Sequence, residues 1–168
     1  MNNGNNIKIL TDTREQIRLQ FSHPYIEEIK VEKLLCGDYG CEFKDGHRPP
    51  FYFERKGSLS DLYGTLGKGY PRFRKELIRA RENKIKLILI IEGSLTKVLG
   101  GYERSMIDGF SIIKKIFTLW IRYGLYPVFC KNEEEMTRFI TEFYLAYGRE
   151  WIESQKCQTS GSLKAQTS

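Results

Sequence analysis

The sequence has no long apolar run. Its longest, Leu87 to Ile91, is far too short to span a bilayer, which excludes a membrane-spanning helix. The N-terminus, MNNGNNIKIL, lacks the basic-then-apolar layout of a secretory signal. The chain is therefore expected to stay where it is made, in the cytoplasm, and near the nucleoid if the source is a bacterium or phage. Histidine and cysteine are scarce. There are 2 His and 4 Cys (Cys36, Cys41, Cys130 and Cys157), with no C-x-x-C pair. Zinc-site spacing is thereby excluded, and reduced thiols are the expectation. Internal repeats and interdomain linkers are also missing.

What is present fits one soluble globular domain. A length of 168 residues suits a single core, and 40% hydrophobic with 29% charged residues is ordinary. The net charge of +6 is concentrated. Residues 68–86, KGYPRFRKELIRARENKIK, hold eight Lys or Arg against two Glu, an excess equal to that of the whole chain. A basic helix beside a neutral remainder points to a polyanion, with Lys68, Arg72, Arg74, Lys75, Arg79 and Arg81 as candidate DNA contacts. A solvated surface helix is the competing reading.

Periodicity gives the element order. IKIL (7–10) reads as a strand, and IRLQF (17–21) as a second. IKVEKLLCGDYGCEF (29–43) reads as a hairpin turning at Gly37-Asp38, and FYFERK (51–56) as a strand. Leu59, Leu62 and Leu66 share a helical face, and Ser58 with Asp61 forms a capping-box pattern. The basic helix begins near Pro71. IKLILIIEG (85–93) is apolar throughout, as for a central parallel strand buried on both faces. A long helix is expected over Ser105 to Tyr123, a strand over 125–130, and a last helix from the cap Asn132 to about residue 154. Residues 1–6 are expected to be flexible, 7–155 to form the domain, and 156–168 to be a disordered polar tail. Antiparallel strands followed by alternating helices and strands give an α/β domain, a mixed sheet flanked by helices on both faces.

Strand alternation places Phe51, Phe53 and Arg55 on one face, and Tyr52, Glu54 and Lys56 on the other. Glu54 and Lys56 thus point together. Such a pair suits metal-assisted phosphodiester hydrolysis, because Mg²⁺ takes hard oxygen ligands and a lysine beside it can orient water or stabilise phosphorane charge. Charge at a strand end also has a bland use, the blocking of edge aggregation. Asp38, at its turn, and Asp12, past the first strand, are the further carboxylates. Each alone could serve a turn.

In combination the motifs are more specific. Asp12-Thr13-Arg14-Glu15, Gly37-Asp38, Glu54-Arg55-Lys56 and Asp61 resemble the nuclease domain of the xeroderma pigmentosum group F (XPF) family of structure-specific DNA endonucleases. That family carries D-x-R-E, then G-D, then E-R-K-x-x-x-D. The resemblance covers about residues 7–150. It implies a restriction-endonuclease-like fold and a catalytic set of Asp12, Arg14, Glu15, Asp38, Glu54, Arg55, Lys56 and Asp61. Asp12, Asp38 and Glu54 would hold Mg²⁺ or Mn²⁺. The implied reaction is in-line attack of a metal-activated water on branched DNA. Four residues rather than three separate Lys56 from Asp61, so Asp61 fits the capping box as well as the site. Arg55 is expected to pair with Glu15 or Asp61. The chain resembles a stand-alone form without helix–hairpin–helix modules. A non-catalytic relative, and a restriction-type nuclease acting on duplex DNA, are the alternatives.

The related nucleases pair through this domain, and the last helix offers a matching stripe. Ile140, Tyr144, Tyr147 and Trp151 recur at spacings of four, three and four, with Phe139 and Phe143 beside them. A homodimer through that stripe is the expectation, against burial of both stripes within one chain.

Overall fold

The computed structural model describes residues 6–165, with side chains through Lys156. Residues 1–5 of the expected flexible N-terminus lie outside the described residues. Six strands form one mixed sheet: β1 (Ile7–Asp12), β2 (Ile26–Glu32), β3 (Tyr39–Phe43), β4 (Phe51–Lys56), β5 (Lys86–Glu92) and β6 (Tyr126–Cys130). Their spatial order is β2-β1-β3-β4-β5-β6. β3 runs antiparallel to β1 and β4, whereas β1–β2, β4–β5 and β5–β6 are parallel. The helices are α1 (Leu59–Leu66), α2 (Tyr70–Glu82), α3 (Leu95–Leu99), α4 (Gly109–Tyr123) and α5 (Glu133–Ala165).

Side-chain alternation in the central strand builds two cores. Leu87, Leu89 and Ile91 of β5 pack under α1, α2 and α4 with Leu62, Leu66, Phe73, Ile112 and Leu119. Ile88 and Ile90 face the other way, toward Phe53, Met136, Ile140 and Tyr144. The expected α/β arrangement, helices on both faces of a mixed sheet, is what the chain adopts.

Several local expectations are overturned. Residues 17–21 form no strand; Leu19 and Phe21 instead insert into the core as irregular chain. β2 and β3 are not a hairpin, because β1 lies between them and pairs with both. The helix expected from Ser105 starts at Gly109, where Asp108 caps it by accepting from Ser111 N–H at 2.9 Å. The last helix, α5, runs to Ala165, past the domain end expected at residue 155. Residues 166–168 lie outside the described residues.

The α5 stripe is also reassigned. Ile140 and Tyr144 are wholly buried within the chain, and the Tyr144 hydroxyl donates to Phe51 O at 2.9 Å. Tyr147 stacks on Phe43, and Trp151 stacks on His47 with ring centroids 3.8 Å apart. Apart from the irregular segment carrying Leu19 and Phe21, α5 covers a sheet face whose opposite side is shared by several helices, so it needs a wide apolar arc. Ile140 and Tyr144 are thereby committed to their own chain and cannot form the core of a dimer contact, while Tyr147 and Trp151 stay half-buried at its edge.

Candidate active site

Three strands bring their charged ends together. β1 ends at Asp12, β4 ends at Lys56, and antiparallel β3 begins beside both. Asp38, just before β3, ties the neighbours in place. Its carbonyl accepts from Asp12 N–H (2.8 Å), and its own N–H donates to Phe53 O (2.7 Å). Its carboxylate takes Arg55 N–H (2.7 Å), the ladder bond that the missing β3 residue would otherwise accept. Gly37 makes the turn possible. It has φ +72°, and a Cβ there would lie 3.1 Å from Phe53 O and 3.1 Å from Leu87.

Glu54 and Lys56 leave β4 on the α2 side, as alternation requires. Both are buried, and Lys56 Nζ sits 2.7 Å from Glu54 Oε1 and 3.9 Å from Asp61. Burial, then the nearby Glu54 charge, raises the Asp38 carboxyl well above the usual carboxylate range. Burial also raises Glu54 above its usual value, with Lys56 opposing and Glu76 and Asp61 adding. Burial would lower Lys56, but Glu54, Asp61 and Asp38 reverse that and raise it. Lys56 therefore stays a cation at neutral pH, suited to stabilising charge and orienting a nucleophile rather than to taking a proton.

Asp12 is differently placed. Its carboxylate accepts Arg14 Nε (2.6 Å), Arg14 N–H (2.8 Å) and Leu34 N–H (2.6 Å). Burial raises its pKa, yet these bonds more than offset it and hold the carboxyl below its usual value. Arg14 also lies near enough to Glu76 and Asp38 to feel both charges. Asp12 thus organises Arg14 and the 33–36 bend, with its oxygens already engaged.

Arg55 leaves β4 on the opposite face. It donates to Ile17 O (2.7 Å) and Glu133 Oε1 (2.5 Å), and lies 3.6 Å from Glu15. It pins the irregular 13–21 segment and the start of α5 to the sheet end. Glu15 is one expected partner; Asp61 is not. A Cβ on Gly57 would come within 2.9 Å of this guanidinium, so glycine leaves it room. A cleft of about 410 Å³ opens here between Glu15, Ile17, Arg55, Gly57, Ser58 and Asp61. Asp61 has both features read from the sequence: Ser58 Oγ accepts its N–H at 3.1 Å, and its carboxylate faces Lys56.

The expected basic contacts fall on two flanks of α2. Arg72 and Arg79 lie beside Glu76, on the side nearest the acids. Arg74 and Arg81 lie on the other flank against Tyr123, with Arg74 Nε 2.9 Å from its hydroxyl and Arg81 over its ring. Lys75 projects between them, and Lys68 precedes the helix. Two carboxylates in contact with this cluster escaped the sequence reading. Glu76 accepts Gly37 N–H at 3.0 Å, and Glu133 holds Arg55. Glu76 was visible only as one of two acids in a basic stretch. Cys36 lies close by, but burial pushes its thiol up to about 11, which excludes a thiolate nucleophile.

Among the described residues, no three His, Cys, Asp or Glu groups form a ready-made metal cage. The donor set still fits a hard divalent ion. Asp38 Oδ1 and Glu54 Oε2 accept no hydrogen bond among the described residues, and the two carboxylates, one half-buried and one buried, repel with one lysine between them. Mg²⁺ commonly uses two carboxylates and completes its shell with water and phosphate.

Comparison with known proteins identifies the fold and the family. No curated protein sequence matches the chain. The fold is similar to that of XPF from Aeropyrum pernix, with a TM-score of 0.62 at 18% identity over 90% of this chain and 70% of that one. The same protein in complex with DNA gives a TM-score of 0.59 at 18% identity, covering 85% of this chain and 65% of that one. That likeness shows the restriction-endonuclease-like α/β fold. The profile of the ERCC4 domain matches residues 11–143, well over half of the sequence and inclusive of every acidic motif above, and so the chain belongs to the ERCC4 domain family.

Proposed function

We propose that this protein is a Mg²⁺- or Mn²⁺-dependent endonuclease that hydrolyses a phosphodiester in branched DNA. The observation that carries the reading is the pair of pKa-raised carboxylates, half-buried Asp38 and buried Glu54, converging with charged Lys56 at one end of the sheet. Asp38 and Glu54 would hold the ion. When bound, it would polarise water and neutralise phosphate charge. Lys56 supplies a cation at the reacting phosphate, with Asp61 beside it. Arg72 and Arg79 face backbone phosphates approaching over α2. Arg55 and Asp12 position the bed and do not touch the substrate. The solved relative bound to DNA supports a nucleic-acid ligand.

A panel of labelled flap, fork, duplex and single-stranded DNAs, incubated with Mg²⁺, Mn²⁺ or EDTA, tests this. Metal-dependent cutting near the branch is expected. Binding without cutting would identify a non-catalytic family member, and cutting of linear duplex at a fixed sequence a restriction-type enzyme.

The protein also pairs with a second copy in this reading, through a different surface from the α5 stripe. Phe110, Phe117 and Ile121 recur along the exposed side of α4, with Trp120 beside them in contact with Tyr126 of β6. Such a patch exceeds the scattered apolar residues of a monomer and can match itself across a two-fold axis. A dimer mass by light scattering that Trp120→Glu reduces to a monomer is the expected result; a wild-type monomer at tens of micromolar refutes it.

A further inference from the structure

Away from the acids, α1 and the loop before α4 enclose a groove of about 790 Å³. It starts at Ser60, next to Asp61, and runs past Gly64 to Gly67, so its length follows that of α1, about 12 Å. Its floor is apolar and aromatic. Tyr63 and Tyr102 pack with ring centroids 5.7 Å apart, and the Tyr63 hydroxyl is fixed on Val98 O at 2.9 Å. Met106 stands wholly in solvent beside them, which the fold does not explain. Three cations ring the groove and no carboxylate lines it. Lys115 is fixed by Leu66 O at 2.8 Å, while Lys68 and Arg104 make no ion pair among the described residues.

We infer that this groove binds an unpaired stretch of the DNA strand, between the branch and the cutting site. The chemistry selects that occupant. The cations call for phosphates, and exposed Met106 beside the half-buried Tyr102 ring, itself packed on the buried Tyr63, calls for flat apolar faces. Bases offer those faces only when they are not stacked in a duplex. A groove of one charge sign with an aromatic floor is the arrangement that tracks a single strand without reading its sequence. The biological meaning rests on the nuclease reading, but the test needs no cleavage.

Gly64 allows a clean perturbation. A Cβ there meets nothing within 4 Å, so Gly64→Glu places a carboxylate in the groove without touching the fold. The assay is fluorescence anisotropy of a labelled twelve-residue oligothymidylate with the full chain in EDTA. Gly64→Glu should weaken binding about tenfold, the size of one lost stacked base. Its melting temperature should hold or rise, since glycine is a poor helix former. Lys68→Ala with Arg104→Ala should lower the salt slope by about 1.4, two single-strand phosphates. A duplex of equal length should lose less than twofold to Gly64→Glu. Wild-type protein that does not bind the oligonucleotide, variants that bind it within twofold of wild type, or equal losses on duplex would each overturn the inference. Metal-dependent cutting of branched DNA alongside any of those results would leave the nuclease reading standing and remove only the groove.

Discussion

Asp38→Asn should make the metal-free protein more stable while ending cleavage. The substitution keeps an oxygen to accept Arg55 N–H, the bond that positions β4, and removes one charge. That charge is half-buried beside buried Glu54, and the one lysine between them is bonded to Glu54. Two like charges a few ångströms apart in a protein repel by about 3–4 kcal/mol at an effective dielectric near 20. Lys56 offsets part of this, so a gain of about 1–2 kcal/mol is expected in EDTA. For a chain of this size that is roughly 2–8 °C in melting temperature. The pH dependence has a fixed sign. A carboxyl whose folded pKa is raised holds its proton more tightly when folded. The wild type should therefore gain stability as pH falls from the raised value toward the ordinary one of about 4, and Asp38→Asn should lack that gain. Mg²⁺ at ten times its dissociation constant should then stabilise wild type by about 1.4 kcal/mol and the variant far less. Thermal unfolding in EDTA and in Mg²⁺, from pH 5 to 8, reads all of this. A variant less stable than wild type in EDTA, or equally stabilised by Mg²⁺, would refute the picture of two frustrated carboxylates awaiting a cation.

Glu54→Ala should reduce cleavage by at least a hundredfold while leaving DNA affinity in EDTA within about twofold, because the proposed backbone contacts are on α2 and not among the acids; wild-type cleavage would remove Glu54 from the site. Asp12→Ala should instead cost about 2–4 kcal/mol of stability by chemical denaturation, since it leaves the buried Leu34 N–H without its acceptor. That cost should be present above the ordinary carboxylate value of about 3.9 and fade as pH falls through the lower folded pKa, because protonated wild type loses the same bonds. Arg72→Ala with Arg79→Ala should shrink the duplex salt slope by about 1.8, two phosphates' worth, and an unchanged slope would return α2 to a solvated surface.

Patterns that belong to one element were legible in the sequence. Alternation in β4 put Glu54 and Lys56 on one face and Arg55 on the other, because the period of a strand is fixed by its backbone. The unbroken apolar run of β5 signalled burial on both sides. Asn132 and Ser58 marked helix starts because a capping oxygen must lie next to the donors it satisfies. The acidic motifs, taken in order, were enough to find the family.

Facts that depend on which elements become neighbours were settled by the tertiary structure alone. β2 and β3 look like a hairpin along the chain, yet β1 separates them, and nothing local encodes that pairing. Glu76 joins the acids because α2 crosses above Gly37, 39 residues away in sequence, so its role has no signature beside it. Asp12 sits in the right motif for a metal ligand, but the fold brings Leu34 N–H and Arg14 to both of its oxygens. The α5 stripe is apolar whether it faces a partner or its own sheet; periodicity reports that a face must be covered, and only packing decides what covers it. A sequence fixes the chemistry each residue carries and the direction in which its own element points it. The distances that shift a pKa, pair a charge or bury a ring are set between elements, and those exist only once the chain has folded.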